Sequence, residues 1–290
     1  MRWGYTYGWQ GWVWGGLLFL FGCATTRPLS EPLALPSLPR TYEVRAGHCV
    51  IFSDQQVDSR HPLLRQIETL PDEICTELEL PMCQQFVMVY LFANRHQYEA
   101  YMNCQYPELP NRRAYFMARI DKRRGNELCI YSFWGNHLEE DLRHELTHAT
   151  LHSVLKNVPM WLDEGLAEYF ETPREAKGAN KTHLAELRKQ EELGNPVWPL
   201  LEQLEKLSEV QQMTTADYRA SWSMVHWLLR GSPEGRRVLL RYLQRLRVEE
   251  KPPPFLPLLR NMTPRFEEAV REHLKLMTPT HSHRPSWLGV

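Results

Sequence analysis

The chain has no excess charge of either sign: among its 290 residues, 34 Lys and Arg stand against 35 Asp and Glu, a formal net charge of -1. No broad basic field exists to gather nucleic acid or an anionic membrane surface, so nucleic acid is not an expected partner. Long apolar runs are also missing. The stretch from Val13 to Gly22 falls short of the ~20 residues that a membrane-crossing helix needs. The six cysteines include no paired C-x-x-C, which argues against a cysteine zinc cluster. There is no internal repeat, and beyond His137 there is no sustained strand pattern. What is present, 43% apolar and 24% charged residues, is the composition of an ordinary globular protein with a sizeable core.

The amino-terminal segment reads as an export signal over residues 1–22, with Arg2 ahead of a short apolar run that stops at Gly22. Leu20-Phe21-Gly22-Cys23 resembles the lipobox of bacterial lipoproteins, which implies cleavage before Cys23 and acylation of that residue. Several acyl chains on one residue anchor firmly to a membrane. Ala24 follows where inner-membrane retention would call for aspartate, so the resemblance implies a bacterial envelope location on the periplasmic face of the outer membrane. Residues 23–40, with Pro28, Pro32, Pro36 and Pro39, read as the anchor and a stiff spacer. Removing Cys23 leaves Cys49, Cys75, Cys83, Cys104 and Cys129, an odd set that allows up to two bridges and leaves their pairing open.

Periodicity divides the remainder into an α/β lobe over 41–157, a helical lobe over 158–277 and a tail over 278–290, an α+β protein. Expected strands are Tyr42 to Phe52, Phe86 to Phe92, Ala114 to Ile120 and Glu127 to Phe133, the last two joined as a hairpin with a solvated basic tip. Helices are expected at Pro62 to Glu79, Arg95 to Asn103, His137 to Leu155, Trp161 to Glu171, His183 to Leu193, Leu200 to Ser208, Ala216 to Arg230, Pro233 to Arg247 and Pro264 to Met277. Pro252-Pro253-Pro254 separates the last two.

The chemistry concentrates in His144-Glu145-Leu146-Thr147-His148, within a helical run free of Gly and Pro. Four residues of α-helix advance about 6 Å and turn about 400°, so His144 and His148 project from one face and can share a metal ion. Glu145 lies about 100° round from His144, poorly placed to ligate but near enough to take a proton from water at the metal. After fifteen further residues comes Glu164, in Trp161-Leu162-Asp163-Glu164-Gly165-Leu166-Ala167-Glu168-Tyr169. His152 continues the histidine stripe, but a third turn of a straight helix cannot curl around the same ion.

Here the chain resembles the gluzincin superfamily of metallopeptidases, whose second helix carries a Glu ligand in a W-L-x-E-G-x-A-x-Y context. The resemblance implies a zincin-like fold, Glu164 as third ligand, and Glu168 as the carboxylate that orients a ligand histidine. It also implies a cleft-rim strand, Ala114 to Ile120 or Glu127 to Phe133, that pairs with extended substrate, and an oxyanion donor, Tyr218 or His226. Two imidazoles and one carboxylate leave a coordination position open, which selects Zn2+ in a catalytic site. The expected activity is hydrolysis of a peptide or protein substrate with Glu145 as general base. A non-catalytic envelope binding or assembly lipoprotein on the same fold is the alternative; such a protein has no need of a base at Glu145.

Overall fold

The alternation of side chains along three parallel strands builds a sheet with two covered faces. The computed structural model describes residues 36–121, 125–194 and 200–277. The expected signal segment, Cys23, most of the proline-rich spacer, the hairpin tip and the tail lie outside these residues. The strands are β1 (Tyr42–Ala46), β2 (Cys49–Ser53), β3 (Val87–Phe92), β4 (Tyr115–Asp121) and β5 (Gly125–Phe133), in the order β1-β2-β3-β5-β4. Pairing is parallel between β2 and β3 and between β3 and β5, whereas β1 and β4 run antiparallel at the two edges. The expected hairpin is β4 and β5, and β4 is the edge strand.

Two helices, α1 (Pro62–Glu77) and α3 (Leu138–Val154), share one buried cluster with Val87, Val89, Leu128 and Ile130. The intervening residues Met88, Tyr90, Cys129 and Tyr131 point to the other face, where α2 (Arg95–Gln105) packs through Tyr98, Tyr101 and Met102. Leu38, near the end of the spacer, packs on this second face. Most of α3 is buried, and its Thr147 and Thr150 hydroxyls donate to the Arg143 and Leu146 carbonyls, so neither is left unsatisfied.

The rest is helical: α4 (Met160–Phe170), α5 (Lys181–Glu192), α6 (Leu201–Leu204), α7 (Thr215–His226), α8 (Pro233–Val248), α9 (Phe255–Met262) and α10 (Phe266–Met277). The chain is thus an α+β protein. The lobe boundary expected after residue 157 falls in the loop between α3 and α4, but one buried cluster runs across it from Ile51 to Leu274. All five described cysteines are free thiols.

Four expectations about elements are corrected. The strand expected over Tyr42 to Phe52 is two strands, because Gly47 adopts φ +56° and turns the chain back. The helix expected over Leu200 to Ser208 stops at Leu204. The helix expected through Arg230 is α-helical only to His226 and continues as one π-helical segment, Trp227–Gly231. Beyond the triple proline lies an extra helix, α9, which tolerates Pro257 because the first helical turn has no intrahelical partner for an N–H.

Gly165 sets the contact between α4 and α7: a Cβ there would lie 2.6 Å from the Ser221 carbonyl oxygen and 2.8 Å from Val225. Gly165→Ala is expected to push the helices apart and lower stability by about 1–3 kcal/mol, read as a shift in the urea midpoint. His226 is buried, and its Nδ1 lies 2.9 Å from Nε2 of His273, a pair that needs one donor and one acceptor. Burial, with His273 and Arg230 nearby, pushes His226 down to about 3. The unfolded chain, with a histidine near 6.5, therefore takes up protons that the folded chain refuses, and stability falls as pH drops below that value. Between pH 6.5 and 5 this group should cost roughly 2 kcal/mol, measurable as the difference in pH slope between the wild type and His226→Gln.

Candidate metal centre

Burial fixes the three side chains singled out as ligands. His144 and His148 sit one turn apart on α3, their rings 5.0 Å apart and nearly perpendicular. Glu164 comes from the first turns of α4, which packs against α3. Its Oε2 lies 3.4 Å from Nε2 of His144 and 3.6 Å from Nε2 of His148. These distances are long for charge-assisted hydrogen bonds, and the buried Oε2 has no hydrogen-bond partner. They match the separation of neighbouring donors around a tetrahedral zinc ion, about 3.4 Å for bonds near 2.1 Å. The donor atoms of the three residues lie within 4.8 Å of one another, with side chains exposed by 17%, 10% and 5% for His144, His148 and Glu164. A cluster of two imidazole nitrogens and one unpartnered carboxylate oxygen fits zinc by donor type, by spacing and by the need of that oxygen for a cation.

Outer carboxylates orient the rings. Glu171 Oε2 lies 3.0 Å from Nδ1 of His144. This corrects the expectation for Glu168: its Oε2 meets Nε2 of His183 at 2.8 Å, and Glu171, one turn further on, takes the place beside the ligand ring. Asn180 donates to Glu171 at 2.7 Å and ties the two carboxylates together. On the other ring, Asp163 Oδ1 lies 3.1 Å from Nδ1 of His148 but off hydrogen-bond alignment, while its Oδ2 meets Nε2 of His152 at 2.8 Å. His152 thus pairs with Asp163 and stands outside the His144, His148 and Glu164 group, forming with His148 and Asp163 a second set of donor atoms within 4.8 Å, and Phe116 of β4 stacks on both His148 and His152.

The electrostatics follow from these contacts. Burial alone would raise Glu164, but the two imidazoles hold it down at about 2. Burial opposes charge on His148, yet Asp163 and Glu164 override it and raise the ring to about 10; Glu164 and Glu171 likewise raise His144. Burial and the neighbouring Glu168 push Glu171 up to about 7, while His183 outweighs burial to lower Glu168. Carboxylate and imidazole charges thus compensate one another across the site.

Arg143, immediately before His144, is buried and donates to the Phe170 and Thr172 carbonyls at 2.9 Å each, which secures the carboxyl end of α4 to α3. His144 and Glu145 open onto a cleft of about 890 Å³ that Tyr218, Arg112, Glu171 and His183 also line. Tyr218 Oη accepts a hydrogen bond from Arg112 at 3.0 Å, and burial together with the charge of Glu164 raises its phenol. His226, the other candidate donor, points away into its pair with His273.

Glu171, Asp163, Arg143 and Arg112 did not emerge from the sequence reading. Glu164, Glu168 and Glu171 form an i, i+4, i+7 stripe, which could have identified Glu171. Arg112 carries no comparable signal, because it reaches the site from a loop.

Residues 140–253 match a family described as a protein of unknown function (DUF1570). The matched segment contains the whole three-residue cluster, Glu145 and Tyr218, but none of the sheet. No curated protein matches the chain.

Proposed function

We propose that this chain is a zinc-dependent peptidase of the gluzincin type, tethered in a bacterial envelope through an acylated Cys23. The observation that carries the reading is the buried, unpartnered Glu164 Oε2, set 3.4 and 3.6 Å from the two imidazole nitrogens. His144, His148 and Glu164 would hold the ion, with Glu171 fixing the direction of the His144 ring and Asp163 lying beside Nδ1 of His148. When bound, zinc supplies Lewis-acid polarisation of a carbonyl and acidification of water near neutral pH.

Glu145, adjacent to a ligand yet turned to the cleft, takes the proton of the attacking water and delivers it to the departing amine as the C–N bond breaks. Because Arg112 donates into Tyr218 Oη, the phenol hydrogen stays free to donate to the oxygen that gains charge on the scissile carbonyl. The edge position of β4, beside α3, suits main-chain pairing with an extended peptide. The amino-terminal features that motivate the envelope location lie outside the described residues, and among those described no helix is long and apolar enough to cross a membrane.

Glu145→Gln should retain zinc and the melting temperature of the wild type while losing at least about a hundredfold in peptide hydrolysis. Unchanged turnover of a casein or peptide-library substrate would remove Glu145 as base. His144→Ala should instead lose the metal, read by elemental analysis of purified protein. Stoichiometric zinc with no chelator-sensitive cleavage in the wild type would favour a binding or assembly protein that uses the same fold.

A further inference from the structure

Six acidic residues line the cleft, yet one half-buried cation there, Arg112, makes no ion pair within 4.0 Å among the described residues and feels the charge of Glu164 only from further off. Arg113 is neutralised by Glu140 at 2.9 Å and Asp141 at 2.8 Å. Arg112, its neighbour, spends one N–H on the Tyr218 hydroxyl and sits 6.0 Å from the ring of Tyr115. A guanidinium has five donors in a planar fork and stays charged at any physiological pH. Burial works against the charge on Arg112, and Tyr218 together with Glu164 outweighs it, so the guanidinium is held charged at the cleft with donors of its fork left over for a ligand.

We infer that Arg112 is the receptor for a substrate carboxylate, and first of all for the carboxyl terminus of a bound peptide. This rests on the peptidase reading. The direction of β4 supports the terminus. Arg112 lies three residues before Tyr115, at the start of the edge strand, and β5 occupies only the inner side of that strand. A peptide added antiparallel along the outer side runs its carboxyl end toward the start of β4 and so toward Arg112. A parallel peptide would bring its ammonium there and be repelled. Planar bidentate pairing is the geometry in which arginine holds a carboxylate best. Since the same guanidinium touches Tyr218, a seated carboxylate would also fix the phenol, joining recognition to the reacting end of the cleft. The substrate class is therefore a peptide cut near its carboxyl terminus.

The test is equilibrium dialysis of zinc-loaded Glu145→Gln protein against acetylated tripeptides, offered as free acids, as carboxyl-terminal amides, and as amides ending in Glu or Gln. Free acids should bind on the order of tenfold more tightly than amides. Arg112→Gln in the same background should erase that preference with zinc content unchanged, and Arg112→Lys should retain part of it. Equal binding of acids and amides, or a preference that survives Arg112→Gln, overturns the assignment. So does a common fall in turnover of acids and amides, with no change in preference, when Arg112→Gln is made with Glu145 intact, the mark of an arginine that only positions Tyr218. Preference for the Glu amide over the Gln amide, with none for free acids, would move the recognised carboxylate from the terminus to an acidic side chain and overturn the terminal assignment. Hydrolysis by the wild type separates the two readings. No cleavage alongside discriminating binding sinks the peptidase and leaves the receptor, whereas equal cleavage of acids and amides with equal binding does the reverse.

Discussion

A buried carboxylate oxygen with no hydrogen-bond partner is costly, and Glu164 Oε2 is such an atom, flanked by two imidazole nitrogens that approach it without bonding to it. Several neighbouring contacts hold those three groups in place. Arg143 secures the end of α4 to α3, Glu171 and Asp163 brace the rings from behind, and Phe116 of the edge strand closes one side of His148. Burial opposes charge on both imidazoles, and the carboxylates around them outweigh it and raise their pKa values. A divalent ion would satisfy the same field without borrowed protons.

The second constraint is the close approach of α4 and α7 at Gly165. The next residue before it is Glu164, and α7 carries Tyr218, so the absence of a single Cβ sets how near the phenol stands to the His144, His148 and Glu164 cluster. On that same helix, His226 turns to His273 and serves the core instead. One helix thus faces the cleft through Thr215 and Tyr218 and the core through His226.

The fold was legible wherever a side-chain period ran uninterrupted. The two central strands β3 and β5, the hairpin with β4, and the helices α1, α3, α4 and α8 lie within a few residues of their expected positions. Turn chemistry and proline context were harder to read: Gly47 split a strand, and Pro252-Pro253-Pro254 hid the start of α9. In the site, helical spacing alone brought His144 and His148 onto one face, because both lie on a single regular element. The position of Glu171 could not be read so directly, since Glu168 and Glu171 both lie near the ligand face of α4 and only packing against Asn180 and His183 decides between them. Arg112 was invisible because its approach depends on how the loop before β4 crosses the mouth of the cleft.

The buried cluster that runs unbroken from the sheet through α3 and α4 into α10 has a mechanical consequence. Two bodies that share one continuous interior cannot rotate about a hinge without opening that interior to water. Any widening of the cleft by rotation of one wall against the other would therefore carry a cost in proportion to the apolar area it uncovers.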